Sequence, residues 1–161
     1  MAQPITPFLW FDSEAEDAAK YYTSIFPNSR ITNVSHYTEA GPRPAGTVMT
    51  VEFDLDGQRF HALNGGPHYS FSEAISFVVS CETQEDVDYY WERLSQDGEE
   101  GPCGWLKDRF GLSWQVVPEG MIELFTDPDR GRAQRAMQAM LGMHKLDLAA
   151  MRSAADGVPA A

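Results

Sequence analysis

Among its 161 residues the chain has only two cysteines and 12 basic residues, against 24 acidic ones. It also has no long apolar run. Each shortage excludes something. Cys81 and Cys103 have neither CxxC spacing nor an oxidising context, so they read as two free thiols of a cytoplasmic protein. The formal net charge of −12 repels phosphate backbones and anionic lipid, which argues against nucleic-acid and membrane partners. No stretch approaches the roughly 18 apolar residues of a transmembrane helix. The start, MAQPITPFLWF, shows no basic region leading into a long apolar segment, so no signal peptide is expected. A glycine-rich turn opening a helix is missing too. Gly65-Gly66 is followed by Pro67 and loop, which excludes a phosphate loop and a seat for a methyl-donor nucleotide.

Against these absences stands the stretch Gly104–Pro118, GWLKDRFGLSWQVVP, with two of the four tryptophans. It reads as a hairpin: an apolar strand to Lys107, a turn at Asp108–Gly111, then a strand from Leu112 to Val117. Leu112, Trp114 and Val116 face a core, and Ser113, Gln115 and Val117 face the other side. Burying a tryptophan is worth about 4–6 kcal/mol, so Trp114 is assigned to the core.

The remaining elements follow from periodicity and punctuation. Ile5–Asp12 reads as a strand. Ser13 with Glu16 forms a capping box for a helix ending near Phe26, before Pro27, with a stripe of Ala18, Tyr21, Tyr22 and Ile25. Arg30–Thr38 is a further strand. Thr47–Leu55 and Gln58–Leu63 flank Asp56-Gly57, a two-residue hairpin signal. That loop length sets Phe53 opposite Phe60 and Val51 opposite Ala62 on an oily face, and Asp54 opposite Arg59 and Glu52 opposite His61 on a polar one. Ala74–Cys81 is the next strand, and Thr83 with Asp86 opens a helix to about Gln96. Glu99–Cys103 reads as irregular. Asp127-Pro128 opens a helix to about Met143, with a stripe of Ala133, Ala136, Met137, Met140 and Leu141. Lys145–Ala155 forms another short helix, and the last residues fray.

Compared with itself at a shift of 69 residues, the chain repeats. Phe8, Leu9 and Trp10 fall on Phe77, Val78 and Val79. Ala18, Tyr21, Tyr22 and Ile25 fall on Val87, Tyr90, Trp91 and Leu94. Each copy is strand, helix, further strands, and the second copy leaves room for fewer strands.

With this duplication, the motifs PFLWFD, YYTSIFPNS, ALNGGP and CGWLKDRFGLSWQVVP resemble the vicinal oxygen chelate superfamily, the glyoxalase, bleomycin resistance and dioxygenase group. Within it they resemble the PhnB-like branch, often labelled 3-demethylubiquinone-9 3-methyltransferase. The resemblance spans about residues 5–148. It implies an α+β fold of two βαβββ modules, a cupped mixed sheet with helices on its outer face, and a homodimer. The modules would be about 5–65 and 74–118 of a single 1–161 domain, followed by a C-terminal helical segment of about 127–155.

Metal-using members of that superfamily carry ligands on concave strand faces. The matching positions here are Thr6 or Phe8, His61, Ser76 and Gln115, where the resemblance implies histidine at the third and glutamate at the fourth. One good donor of four is too few for a divalent cation, so no metal and no cofactor is expected. Three readings remain. A metal-free small-molecule binder would use a cup lined by Phe8, Trp10, Ser76, Ser113 and Gln115. An enzyme of the lyase, isomerase or dioxygenase type would use shifted ligands, or acid–base chemistry at His61 and Glu52. A structural or regulatory dimer would carry a vestigial pocket. Trp10, Trp105 and Trp114 are candidates for an aromatic cage.

Overall fold

The computed structural model describes residues 5–158. Pro4, just before the first expected strand, and residues 159–161 of the expected frayed end lie outside them. The chain divides into two compact units, one ending at Phe71 and one beginning at Ser72. Each is a βαβββ unit with its own four-stranded mixed sheet.

The first unit runs β1 (Phe8–Phe11), α1 (Ala15–Ile25), β2 (Arg30–His36), β3 (Val48–Leu55) and β4 (Gln58–Asn64), with sheet order β1-β4-β3-β2. β1 lies parallel to β4, and β2 and β4 flank β3 antiparallel. Asp56 and Gly57 both have positive φ (41° and 87°), the backbone that a two-residue hairpin loop demands. The loop delivers the expected register: Leu55 pairs with Gln58, Phe53 with Phe60, Glu52 with His61 and Thr50 with Leu63. On the helix side Phe53 stacks on Phe60 at 5.5 Å and on Tyr22 at 6.2 Å. Ala15, Ala18 and Ala19 are fully buried and let α1 approach the sheet closely.

The start of α1 corrects the sequence expectation. Glu14, not Ser13, is the N-cap residue, and no side chain of that turn caps the helix. Asn64, at the end of β4, does so from 49 residues away. Its Oδ1 accepts from the Ala15 amide at 2.8 Å, and its Nδ2 donates to the Val48 carbonyl at 3.2 Å. Local capping rules do not see a cap supplied by a neighbouring strand.

The second unit repeats the topology: β5 (Ser76–Cys81), α2 (Gln84–Ser95), β6 (Glu99–Glu100), β7 (Trp105–Lys107) and β8 (Ser113–Pro118), in the order β5-β8-β7-β6. The expected shortage of strands is corrected. All three post-helix strands are present, but β6 has two residues and β7 three. Thr83 is the expected N-cap of α2, and Asp86 answers it to complete a capping box.

Asp108 holds the β7–β8 turn together. It is 3 % exposed, and its Oδ1 accepts from the amides of Phe110 (2.8 Å) and Leu112 (3.1 Å) while Oδ2 accepts from the Trp114 indole (2.9 Å). A buried carboxylate is tolerable only with such donors. Trp114 therefore enters the core, against Phe77 at 5.6 Å, and its sheet neighbours alternate about it.

Beyond β8 come α3 (Met121–Phe125), α4 (Arg130–Leu141) and α5 (Leu148–Ala155). α3 has no counterpart in the sequence reading. The cap of α4 is Asp129, not Asp127. Asp129 Oδ1 takes the amides of Gly131 and Arg132, whereas Asp127 pairs with Arg132 Nε at 2.9 Å. The expected stripe is also corrected, since Leu141 is 63 % exposed and Ala136 is the buried member. Ala136 packs with Leu124, Leu146, Met151 and Ala155 in a small core. This segment straps the β6–β7 loop: Cys103 N donates to Met143 O and Gly104 N to His144 O, both at 2.8 Å. Gly104 has φ +83°, and a Cβ there would sit 2.8 Å from both Leu146 Cδ1 and Val116 O.

Two outcomes follow in chemical denaturation. Asn64→Ala should cost about 1–3 kcal/mol, by leaving the Ala15 amide unpaired, while Ser13→Ala should cost close to nothing. Asp108→Ala should cost about 3 kcal/mol or more, by orphaning two amides and an indole N–H.

Candidate functional site

In the first unit, the sheet face away from α1 carries Phe8 and Trp10 on β1, Leu63 and His61 on β4, and Thr50 and Glu52 on β3. Phe8 is 58 % exposed, and its ring lies 5.8 Å from the His61 imidazole. Glu52 stands opposite His61 in register, but its carboxylate approaches Asn33 Nδ2 at 3.5 Å and the Arg59 guanidinium at 4.0 Å. Arg59 itself grips Asp54 at 2.8 and 3.2 Å, and this bond holds the Asp54 carboxyl below its usual range. Trp10 is held by the loop after β4. Its indole N–H donates to Gly66 O at 2.8 Å, and its ring meets Tyr69 edge-on at 5.0 Å. A Cβ on Gly65 would stand 2.2 Å from the Trp10 ring. The glycine pair of ALNGGP is thus a seat for an indole, and the residues do not fit a methyl-donor nucleotide.

In the second unit, Ser76 and Gln115 are brought together: the Gln115 side-chain amide donates to the Ser76 hydroxyl at 2.9 Å. Strand register arranges the face away from α2 as two cross-strand rows. One row is Glu99, Lys107, Ser113 and Ser76, and the next holds Trp105, Gln115 and Val78. A cavity of about 430 Å³ opens over these rows at the β6–β7 side, lined among others by Glu73, Glu99, Glu100, Trp105, Lys107 and Ser113. Lys107 Nζ pairs with Glu73 at 2.6 Å, which raises the ammonium's pKa and lowers the carboxyl's. Ser113 is 1 % exposed, and its hydroxyl is the buried side-chain polar atom left without a hydrogen bond among the described residues. Trp105 and Trp114 point to opposite faces of this sheet, so they do not form a cage. Sequence reasoning found Ser113 and missed Lys107, Glu73 and Glu99 as cavity residues. The missing signal was β6, since only a strand at Glu99–Glu100 puts Glu99 beside Lys107.

Among the described residues no three His, Cys, Asp or Glu side chains gather where they could hold a metal ion. At the positions matching the superfamily's ligands the first unit offers one imidazole, His61, beside Thr6 or Phe8, and the second a hydroxyl, Ser76, and a carboxamide, Gln115; in neither unit do these donors fit a divalent cation. No helix among the described residues is long and apolar enough to cross a membrane.

Two βαβββ units of identical topology define the class, the vicinal oxygen chelate superfamily. Residues 3–117 match the family model described as 3-demethylubiquinone-9 3-methyltransferase, and the chain belongs to that family, in its PhnB-like branch. A PhnB protein from Bacillus cereus is 38% identical, with 72% of this chain and 99% of that chain covered and a TM-score of 0.65. A protein from Pseudomonas aeruginosa shares the fold at 17% identity, with 73% and 98% covered and a TM-score of 0.61. The fosfomycin resistance protein FosX from Listeria monocytogenes does so at 14% identity, with 76% and 98% covered and a TM-score of 0.51. No curated protein matches the chain. The family model stops at residue 117, so α3, α4 and α5 lie beyond it.

The thiols differ in reach. Burial pushes Cys81 up to about 12, while Cys103 is half-buried on the strapped loop. Iodoacetamide at pH 8 should label Cys103 in the native protein and Cys81 only after unfolding, as read by peptide mass spectrometry.

Proposed function

We propose that this chain is a metal-free binder of small molecules, with its ligand surface on the helix-free sheet face of the second unit. The observation that carries the reading is the cavity of about 430 Å³ walled by Trp105, with the unpartnered Ser113 hydroxyl buried in its lining. Its volume falls within the range of about 300–1,000 Å³ that small-molecule pockets occupy. An aromatic wall beside a few polar groups would bind an apolar or aromatic body and orient it. Ser76 and Gln115 extend the same face, and their mutual bond fixes both side chains.

The binding reading is preferred over acid–base chemistry at His61 and Glu52 because Glu52 approaches Asn33 and Arg59 rather than the imidazole. Methyl transfer has no support in the residues, since Trp10 fills the glycine turn. Two free thiols accord with a reducing compartment, and the proposal places the protein in the cytoplasm as a homodimer.

A thermal-shift screen of aromatic and amphiphilic compounds tests the reading. A ligand at about 100 times its Kd adds about 2.7 kcal/mol of stability. The expected result is at least one stabilising compound whose effect is lost in Trp105→Ala, and no stoichiometric metal after dialysis. Stabilisation untouched by Trp105→Ala, or retained metal, would overturn it.

A further inference from the structure

We infer that the cavity over β6 and β7 selects organic cations: an aromatic or aliphatic body against Trp105, with an ammonium group drawn to Glu99. The inference rests on the binding reading above and adds the charge of the ligand to it.

The lining holds three carboxylates, Glu73, Glu99 and Glu100, and one ammonium, Lys107. Two of the three acids are already engaged. Glu73 pairs with Lys107 at 2.6 Å, and Glu100 Oε1 accepts from the Trp91 indole at 2.9 Å. Glu99 is different. Its side chain makes no hydrogen bond or ion pair among the described residues, although its backbone stands opposite Lys107. One carboxylate beside the cavity is thus left for a cation from outside. Glu73, first through its hydrogen bond, raises the pKa of Lys107, and Glu99 adds to this through space. Trp105 lies on the same sheet face as Lys107, two residues along β7, and indole is the side chain whose face attracts a cation most strongly. An anionic ligand would meet the opposite conditions, since Lys107 is neutralised by Glu73 and the two remaining carboxylates repel it.

A second observation points to a ligand independently of the charges. The Ser113 hydroxyl, next to Lys107 in the polar row, is buried at 1 % exposure without a partner. A buried hydroxyl in that state costs stability unless something supplies its hydrogen bond. It lies in the cavity lining but is covered, so a ligand heteroatom would supply that bond only by displacing the atoms above it.

Isothermal titration at low salt with benzyltrimethylammonium, benzyl alcohol and benzoate tests the inference on the full chain. The expected result is that the cation binds most tightly and benzoate least. Glu99→Gln should weaken the cation by about tenfold and leave benzyl alcohol unchanged, while added salt should weaken the cation alone. Glu99 is exposed, so this variant should fold, and its melting temperature checks that. Equal binding of the cation and the alcohol, or a preference for benzoate, would overturn the cation inference and leave the binding reading standing. If none of the three binds, and Trp105→Ala changes nothing in the wider screen, both fall.

Discussion

A carboxylate cut off from water must be surrounded by donors, and the β7–β8 hairpin is built to meet that demand at Asp108. Two amides of the turn and the indole of Trp114 converge on its two oxygens. This fixes more than the turn. With the Trp114 ring committed to the core face, alternation sends Ser113 and Gln115 to the other face. Antiparallel pairing then places Lys107 opposite Ser113, and Trp105 opposite Gln115. The proposed ligand surface is thus the far side of a core face. A slip of one residue would exchange the two faces, turning Trp105 inward and Trp114 outward.

Duplication leaves its mark on how the two units are finished. Both have the same strand order, yet the second spends only five residues on β6 and β7. Such short strands offer few ladder bonds of their own. The segment after β8 compensates, since the backbone between α4 and α5 accepts from Cys103 and Gly104 and sets Leu146 against Gly104. Gln84 bonds the Leu146 carbonyl at 3.0 Å, and Lys145 pairs with Asp88 at 2.6 Å, tying the same segment to α2. Residues beyond the family model thereby hold the loop that walls the cavity.

How far the sequence could be read depended on the range of the forces involved. The Asp56-Gly57 hairpin was legible to the residue pair, because a two-residue loop and an alternating pattern determine register locally. The Thr83–Asp86 cap and the repeat of strand and helix were legible for the same reason. Ser13 was misread because the donor at the start of α1 is satisfied by Asn64, which no nearby motif announces. β6 was missed because two residues of strand carry no periodicity. The stripe of α4 held at Ala136 and Met140 but not at Met137 and Leu141, because its partners, Leu146 and Met151, come from later in the chain. In the cavity lining, the face that Ser113 takes was legible from alternation, whereas placing Glu99 beside Lys107 needed the pairing of β6 with β7. The resemblance supplied the fold but not the chemistry, because one scaffold hosts many activities.

The measurement that bears most directly on this account is a ¹⁵N NMR titration that follows the four tryptophan indole N–H signals while benzyltrimethylammonium is added. The account predicts a saturable shift of the Trp105 indole signal, with the Trp114 signal, locked on Asp108, staying in place. A shift confined to Trp10, or movement of Trp114 with Trp105 unchanged, would contradict it.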